Sequence, residues 1–478
     1  MSLRGADLLA RTLAAAGVRR MFALSGNHVM PVFDAALDAK LSLIHVRHEA
    51  AAVHMADAWG RLTGEPGIAL VTGGPGHANA LGALYTALAA ESPMLLISGH
   101  APLDELGKGA FQEMAQADLA GPLTVGSWTA KSAARLGADV VRALRAARKG
   151  PVHLSVPNDV LEAQTDSKVV FVREKTTPRK KLDLRKAKRP LVIAGPAAMR
   201  VRRKGGMPVI GMESPRGVND PSLGKLTELL GRADLVVLLG KPLDFTLKFG
   251  AAFAPGCRIV RTPGEVEISS PTDAQRGWID EVQAALRYRP PEWKEFQNTL
   301  HPVVVCREAQ KLLAAPDAVL VSDGGEFGQW AQDCLEAPRR IINGPAGSIG
   351  SALPFAAAAK LAFPDAPVVA ALGDGTLGFH LSEIDTAVRY GLGYVAVIGN
   401  DACWNAEYQI QLRAYGAARA HGLDLLPTRY GAVAAALGAH GEDVHEKNQL
   451  HDALIRAAGA GKPALVNVMI ERTAAPRY

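Results

Sequence analysis

A chain of 478 residues, 48% hydrophobic and 21% charged, has the composition of a globular protein with core enough for about three domains. Its four cysteines, Cys257, Cys306, Cys334 and Cys403, show neither C-x-x-C nor His–Cys ligand spacing, which excludes a zinc module and a disulfide-built secreted scaffold. The net charge of +6 is concentrated between Arg173 and Lys204, where 13 Lys and Arg face two acids; the rest of the chain is mildly acidic, so a nucleic-acid-binding protein is not expected.

The first residues, MSLRGADLLARTLAAAGV, predict an amphipathic helix interrupted by Arg4, Asp7 and Arg11. This is neither a signal peptide nor a membrane span, and a cytoplasmic protein without membrane contact is expected. Strands are predicted at Arg20–Leu24, Leu43–Val46, Gly67–Thr72 and Met94–Gly99, alternating with helices in the manner of an α/β domain. The turn Ser25-Gly26-Asn27-His28 follows the first strand. An Ala-rich helix opens at Glu49 and stops at Thr63-Gly64-Glu65-Pro66-Gly67. A first-turn Glu is in any case favourable to the helix dipole, by about 0.3–1 kcal/mol when exposed. Gly73-Gly74-Pro75-Gly76-His77-Ala78-Asn79 is read as a turn before a helix from Ala80. The basic segment is read as a solvated linker, with a phosphate or nucleotide contact as the alternative. Beyond it, strands are predicted at Arg189–Ala194, Gly205–Met212, Ala233–Leu239 and Cys257–Val260, with very little helix between the first two. A helix at Pro302–Ala314 and a strand at Ala318–Val321 open the last third.

The most informative stretch is Leu372-Gly373-Asp374-Gly375-Thr376. An apolar run, Val368–Leu372, reads as a buried strand that delivers Asp374 at its carboxyl end, where open α/β sheets place ligands. Gly373 and Gly375 flank the carboxylate and are expected to give tight turning and close backbone approach. A helical stretch Phe379–Tyr390 follows, and then a second apolar strand, Tyr394–Ile398, ending on Asn400 and Asp401. Oxygen ligands on neighbouring strand ends suit a hard cation such as Mg²⁺ together with phosphate oxygens.

This segment resembles the diphosphate-binding signature of thiamine-diphosphate enzymes, a GDG followed about two dozen residues later by an Asn pair. Here the second Asn is replaced by Asp401, and Cys403 takes the position whose backbone carbonyl completes the metal shell. The resemblance implies Asp374, Asp401 and Cys403 as metal ligands, with Gly373, Gly375, Thr376, Asn400 and Trp404 also against the cofactor. The helix opening at Glu49 resembles the family's N-terminal signature. There the Glu hydrogen-bonds N1′ of the aminopyrimidine and favours the tautomer that removes the thiazolium C2 proton. Pro75 and Asn79 match the family's SGPGATN turn and Gln112 its FQE, with Ala115 standing where an Asp is usual. Gly347 and Ile349 match the G-x-[apolar]-G-x-x-L-P segment, whose first Gly offers a carbonyl to the 4′-amino group and whose bulky residue wedges the cofactor into its bent form. Asn27 and His28 lie where decarboxylases of the family place polar residues facing substrate.

The expected architecture is α/β in three domains: a pyrimidine-binding domain (1–162), a shortened central domain (186–290) and a diphosphate- and Mg²⁺-binding domain (300–478). The expected activity is thiamine-diphosphate- and Mg²⁺-dependent decarboxylation or carboligation of 2-oxo acids, acetolactate synthase-like. The alternatives are a 2-hydroxyacyl-CoA lyase or oxalyl-CoA decarboxylase type, and a non-catalytic thiamine-diphosphate-binding protein. Against a true acetolactate synthase stand the reduced middle domain and Ile410, where a Trp is usual. FAD is not expected. Because Glu49 and Asp374 fall on different domains, the resemblance implies a homodimer or homotetramer with sites at subunit interfaces, acting on a small 2-oxo acid or acyl-CoA.

Overall fold

The computed structural model describes residues 2–171, 180–201, 206–264 and 266–476. Three parallel sheets organise them. The first contains β1 (Arg20–Ala23), β2 (Ser42–His45), β3 (Gly67–Val71), β4 (Met94–His100), β5 (Gly126–Thr129) and β6 (Val152–Pro157), in the order β2-β1-β3-β4-β6-β5. Its central strands are uninterrupted runs of buried residues, as a parallel sheet covered on both faces requires. The middle sheet is short: β7 (Pro190–Ala194), β8 (Ile210–Gly211), β9 (Leu235–Leu239) and β10 (Arg258–Thr262), in the order β8-β7-β9-β10. The third contains β11 (Val319–Ser322), β12 (Arg339–Ile342), β13 (Val368–Gly373), β14 (Val395–Asn400), β15 (His440–Val444) and β16 (Ala464–Met469). Its order, β12-β11-β13-β14-β16-β15, repeats that of the first sheet. In both, the direction of winding reverses between the first strand and the third, so a crevice opens at their carboxyl ends. The α/β fold with parallel-sheet domains at both ends of the chain is therefore as the sequence predicts.

The chain forms two compact units. One comprises Met1–Lys175, Leu353–Asp365 and His380–Gly393; the other comprises Thr176–Ala352, Ala366–Phe379 and Tyr394–Tyr478. Two segments from late in the chain thus belong with the first sheet. Polar contacts tie them there: the Arg47 backbone N–H donates to Glu383 Oε1 (3.0 Å), the Tyr390 hydroxyl receives the His45 N–H (2.7 Å), and Arg20 donates to the Leu361 carbonyl (2.9 Å).

Several local expectations are corrected. The helix after the glycine-rich turn begins at Pro75, five residues earlier than predicted, because a Pro at the first helical position loses no hydrogen bond. The Phe379–Tyr390 helix is confined to Glu383–Arg389, and the strand expected across Gly205–Met212 is only Ile210–Gly211. Where it is described, the basic segment exposes its Lys and Arg side chains from Lys181 to Arg189, as a solvated segment should, but it also contains regular structure. Lys180–Leu182 pairs in parallel with Val266–Ile268, and Asp183 binds Arg185 through both Nε (2.9 Å) and Nη2 (2.8 Å). The remainder of that segment, 173–179 and 202–204, lies outside the described residues.

Candidate functional site

The residues singled out by the sequence fall into two sets, one on each compact unit. In the first unit, β3 ends in the turn Thr72-Gly73-Gly74 and passes directly into the helix Pro75–Ala89. Gly74 has φ +57°, and a Cβ there would lie 2.6 Å from the Gln112 carbonyl oxygen, so the turn admits no side chain. Gln112, also at positive φ, therefore contributes its backbone to the wall of this turn, and its side chain is half-buried. Glu49 is the first residue of the helix Glu49–Thr63, capped by His48, whose ring accepts the Ala50 N–H (3.1 Å). The Glu49 carboxylate is 8% exposed and accepts from Asn79 Nδ2 at 3.0 Å. Asn27 and His28 diverge, although they were expected to face one ligand together. Asn27 is exposed; His28 is buried, its Nδ1 3.4 Å from Thr72 Oγ1. Burial, with His100 adding its charge, lowers the His28 pKa and keeps the ring neutral.

Sequence reasoning passed over Gln116. It is buried and joins three segments: its Oε1 accepts the Gly74 N–H (2.8 Å), while Nε2 donates to the Gly99 carbonyl (3.0 Å) and Ser155 Oγ (2.9 Å).

In the second unit, β13 and β14 are hydrogen-bonded neighbours, with Gly373 paired to Gly399, so Asp374 and Asp401 emerge side by side. They line a cavity of about 210 Å³ together with Gly347, Ile349, Gly373, Gly375, Thr376, Cys403 and Trp404. A Cβ on Gly375 would stand 2.8 Å from the Trp404 ring; the need for glycine there is close packing against the indole. Gly373, by contrast, has an ordinary extended conformation, φ −80°, and no tight turn is made at it. The loop bearing Gly347 and Ile349 is pinned from beneath. Buried Asp323, just beyond β11, accepts the N–H groups of Gly324 (2.7 Å), Gly350 (3.0 Å) and Ala352 (3.0 Å), and Asn343 Nδ2 donates to the Ser348 carbonyl (2.6 Å).

The electrostatics of the cavity centre on Asp374, which is 2% exposed. Burial pushes its carboxyl up to about 6, opposed by backbone N–H groups of Asp374, Gly375, Cys403 and Asp401. Asp374 Oδ2 meets no hydrogen-bond donor among the described residues. Asp401 is pushed up to about 7, by burial first and then by the neighbouring Asp374 charge, with Arg472 pulling the other way. A carboxylate pair, Asp374 buried and Asp401 half-buried, with one oxygen lacking a partner, suits a cation of charge +2. Among the described residues no three His, Cys, Asp or Glu side chains converge on one point, so a metal here needs backbone or ligand oxygens as well. Cys403 is buried and its thiol is pushed up to about 11, chiefly by burial.

Asn400, expected against the cofactor, has its side-chain amide engaged within the protein. Its Nδ2 donates to the Thr428 carbonyl and Asn467 Oδ1 (both 3.1 Å), and its Oδ1 accepts the Ala402 N–H (3.1 Å). It does not line the cavity. Those bonds hold Ala402 at φ +51° and so set the loop that carries Asp401 and Cys403.

Two parallel sheets of identical strand order, one presenting a buried Glu at a helix start and the other a carboxylate pair at its strand ends, define an enzyme of the cofactor-binding α/β class. The N-terminal and C-terminal TPP binding domain models of thiamine pyrophosphate enzymes match residues 3–119 and 323–468. The chain is 32% identical to the acetolactate synthase large subunit of Mycobacterium tuberculosis over 535 aligned positions, covering 99% of this chain and 97% of the relative. It is 29% identical to human 2-hydroxyacyl-CoA lyase 2, covering 98% and 90%, and 27% identical to the acetolactate synthase large subunit of Parasynechococcus marenigrum, covering 98% and 88%. The chain belongs to the thiamine pyrophosphate-dependent enzymes, in their acetolactate synthase-like family. No described helix is long and apolar enough to cross a membrane.

Proposed function

We propose that the protein is a thiamine-diphosphate- and Mg²⁺-dependent 2-oxo acid decarboxylase or carboligase. The observation that carries this reading is the Asp374 carboxylate, buried beside Asp401 with one oxygen lacking a donor, at the carboxyl ends of adjacent strands. The residues present fit the cofactor. Asp374, Asp401 and the Cys403 carbonyl would hold Mg²⁺; Gly373, Gly375 and Thr376 would meet the diphosphate; Gly347, Ile349 and Trp404 would take the rings. When bound, thiamine diphosphate supplies a nucleophilic carbon and an electron sink adjacent to a substrate carbonyl. Glu49 would exchange a proton with N1′ of the aminopyrimidine, and Asn79, donating to its carboxylate, would orient it. His28, held neutral, offers a polar group without a charge to neutralise the substrate carboxylate. The three domains act as pyrimidine-binding (1–162), central (186–290) and diphosphate-binding (300–478), and the active assembly is a cytoplasmic homodimer or homotetramer in which Glu49 of one subunit serves Asp374 of another.

A second reading, 2-hydroxyacyl-CoA cleavage, is favoured by the likeness to human 2-hydroxyacyl-CoA lyase 2 over 98% of this chain and by the basic segment, which would suit the phosphates of coenzyme A. The experiment measures CO₂ release from a panel of 2-oxo acids with thiamine diphosphate and Mg²⁺, beside aldehyde release from 2-hydroxyacyl-CoAs. The first reading expects CO₂ release from at least one 2-oxo acid. Aldehyde release alone would replace it with the second, and neither product from cofactor-loaded protein would overturn both.

A further inference from the structure

The cavity that receives the diphosphate in this reading is itself lined by acids. Glu326, Asp374, Asp401 and Glu407 stand on its wall against a single guanidinium, Arg216. Glu407 is exposed and screened, and Glu326 accepts the Ala475 N–H (2.8 Å), so the unscreened charge is that of the adjoining Asp374 and Asp401. The cation beside them, Arg472, does not bind either carboxylate. Its Nη1 binds Asp424 (2.9 Å), its Nη2 reaches the carbonyls of Asp401 (3.3 Å) and Ala402 (3.2 Å), and it stacks on Tyr408.

We infer that a second carboxylate, Asp401, lets this site bind its divalent cation first, in the absence of thiamine diphosphate. The inference rests on the reading of the cavity as the diphosphate end of the cofactor. A diphosphate approaching two fixed carboxylates meets like charge in a partly buried site, where repulsion is screened far less than in water. A divalent cation meets two carboxylates already side by side, one of them with an oxygen that no donor occupies. As the cation binds, any proton shared by the pair is released, and the two carboxylates then match its charge without waiting for phosphate oxygens. With a neutral amide in place of Asp401, only one carboxylate would remain, and cation and diphosphate would depend on each other.

The test titrates Mn²⁺ into protein stripped of metal and cofactor, with free Mn²⁺ read by electron paramagnetic resonance, and measures thiamine diphosphate binding by calorimetry with Mg²⁺ or with chelator. The expected result is one Mn²⁺ per chain without cofactor, and cofactor binding that disappears in chelator. Asp401→Asn, close in shape, is expected to weaken cofactor-free Mn²⁺ binding by about tenfold or more while still taking up Mn²⁺ once thiamine diphosphate is added. Mn²⁺ uptake by the wild type only in the presence of thiamine diphosphate would overturn the order while leaving the cofactor assignment standing, as would equal cofactor affinity with and without metal. No Mn²⁺ uptake even with thiamine diphosphate would overturn the inference and the assignment of the cavity together.

Discussion

Asn79 donates to Glu49 and Gln116 to the strands around the glycine turn, so the chemistry assigned to one carboxylate rests on two amides. Glu49→Gln retains size and burial but cannot exchange a proton. It is expected to keep the fold and bind thiamine diphosphate while losing roughly 10²–10⁴-fold in turnover; C2-proton exchange at the wild-type rate, read by NMR, would refute the role. Gln116→Leu strips three buried groups of their partners, at a cost of roughly 1–3 kcal/mol for a buried unsatisfied group, and is expected to lower the denaturant midpoint. A wild-type midpoint would mean the turn holds without it. The placement of Glu49 at a helix start and of Asp374 at a strand end was legible in the sequence because each sits in a contiguous pattern of glycine, alanine and strand residues. Gln116 and Asp323 were not, because what each does is bind backbone from segments far along the chain. The partners of Asn400 were hidden for the same reason: its neighbours in sequence suggested a ligand, whereas Asn467 and Thr428 bind its amide.

Between the first sheet and the helix Pro75–Ala89, polar side chains line up through the core. His77 Nδ1 lies 2.9 Å from Ser98 Oγ, which lies 3.2 Å from His153 Nε2. Burial lowers His77 to about 4 and His153 well below its usual range. A histidine whose folded pKa is depressed contributes stability that is present above the unfolded value near 6.5 and is lost as pH falls toward the folded value. The shift at His77 corresponds to roughly 3 kcal/mol lost between about pH 6.5 and 4. Urea denaturation across that window is expected to show falling stability, with a shallower fall in His77→Gln; identical slopes would contradict this. The middle sheet supports a different prediction. A Cβ on Gly264 would lie 2.8 Å from Ala198 Cβ, and one on Gly211 would lie 2.6 Å from Met199 Cε, so the single-turn helix Pro196–Met199 fills the space at these strand ends. The purified protein is expected to release no stoichiometric flavin on denaturation, and a flavin absorbance equal to the protein concentration would prove this wrong. Of the sheet strands that sequence reading missed, β5, β12 and β15 are terminal strands of their sheets. Each pairs on one side only, and neither GSWT nor HGEDV carries the apolar run by which the buried strands announced themselves.

At the scale of the whole molecule, the repeated strand order was not legible as a repeat, because matching topology needs no matching residues. The order of domains was legible, through one motif in each outer domain. What the chain's two compact units did not follow was sequence order, since Leu353–Asp365 and His380–Gly393 join the first sheet through side chains such as Glu383 and Tyr390, whose partners lie more than 300 residues away. The central claim is that Glu49 and the Asp374–Asp401 pair serve one reaction from different subunits. Co-expression of a Glu49→Gln chain with an Asp374→Ala chain tests it most directly, because a mixed dimer then pairs one intact Glu49 with one intact Asp374. Each variant alone is expected to be inactive, and the co-purified mixture is expected to recover thiamine-diphosphate-dependent turnover. A mixture as inactive as its components, with mixed dimers confirmed by mass spectrometry, would contradict the account.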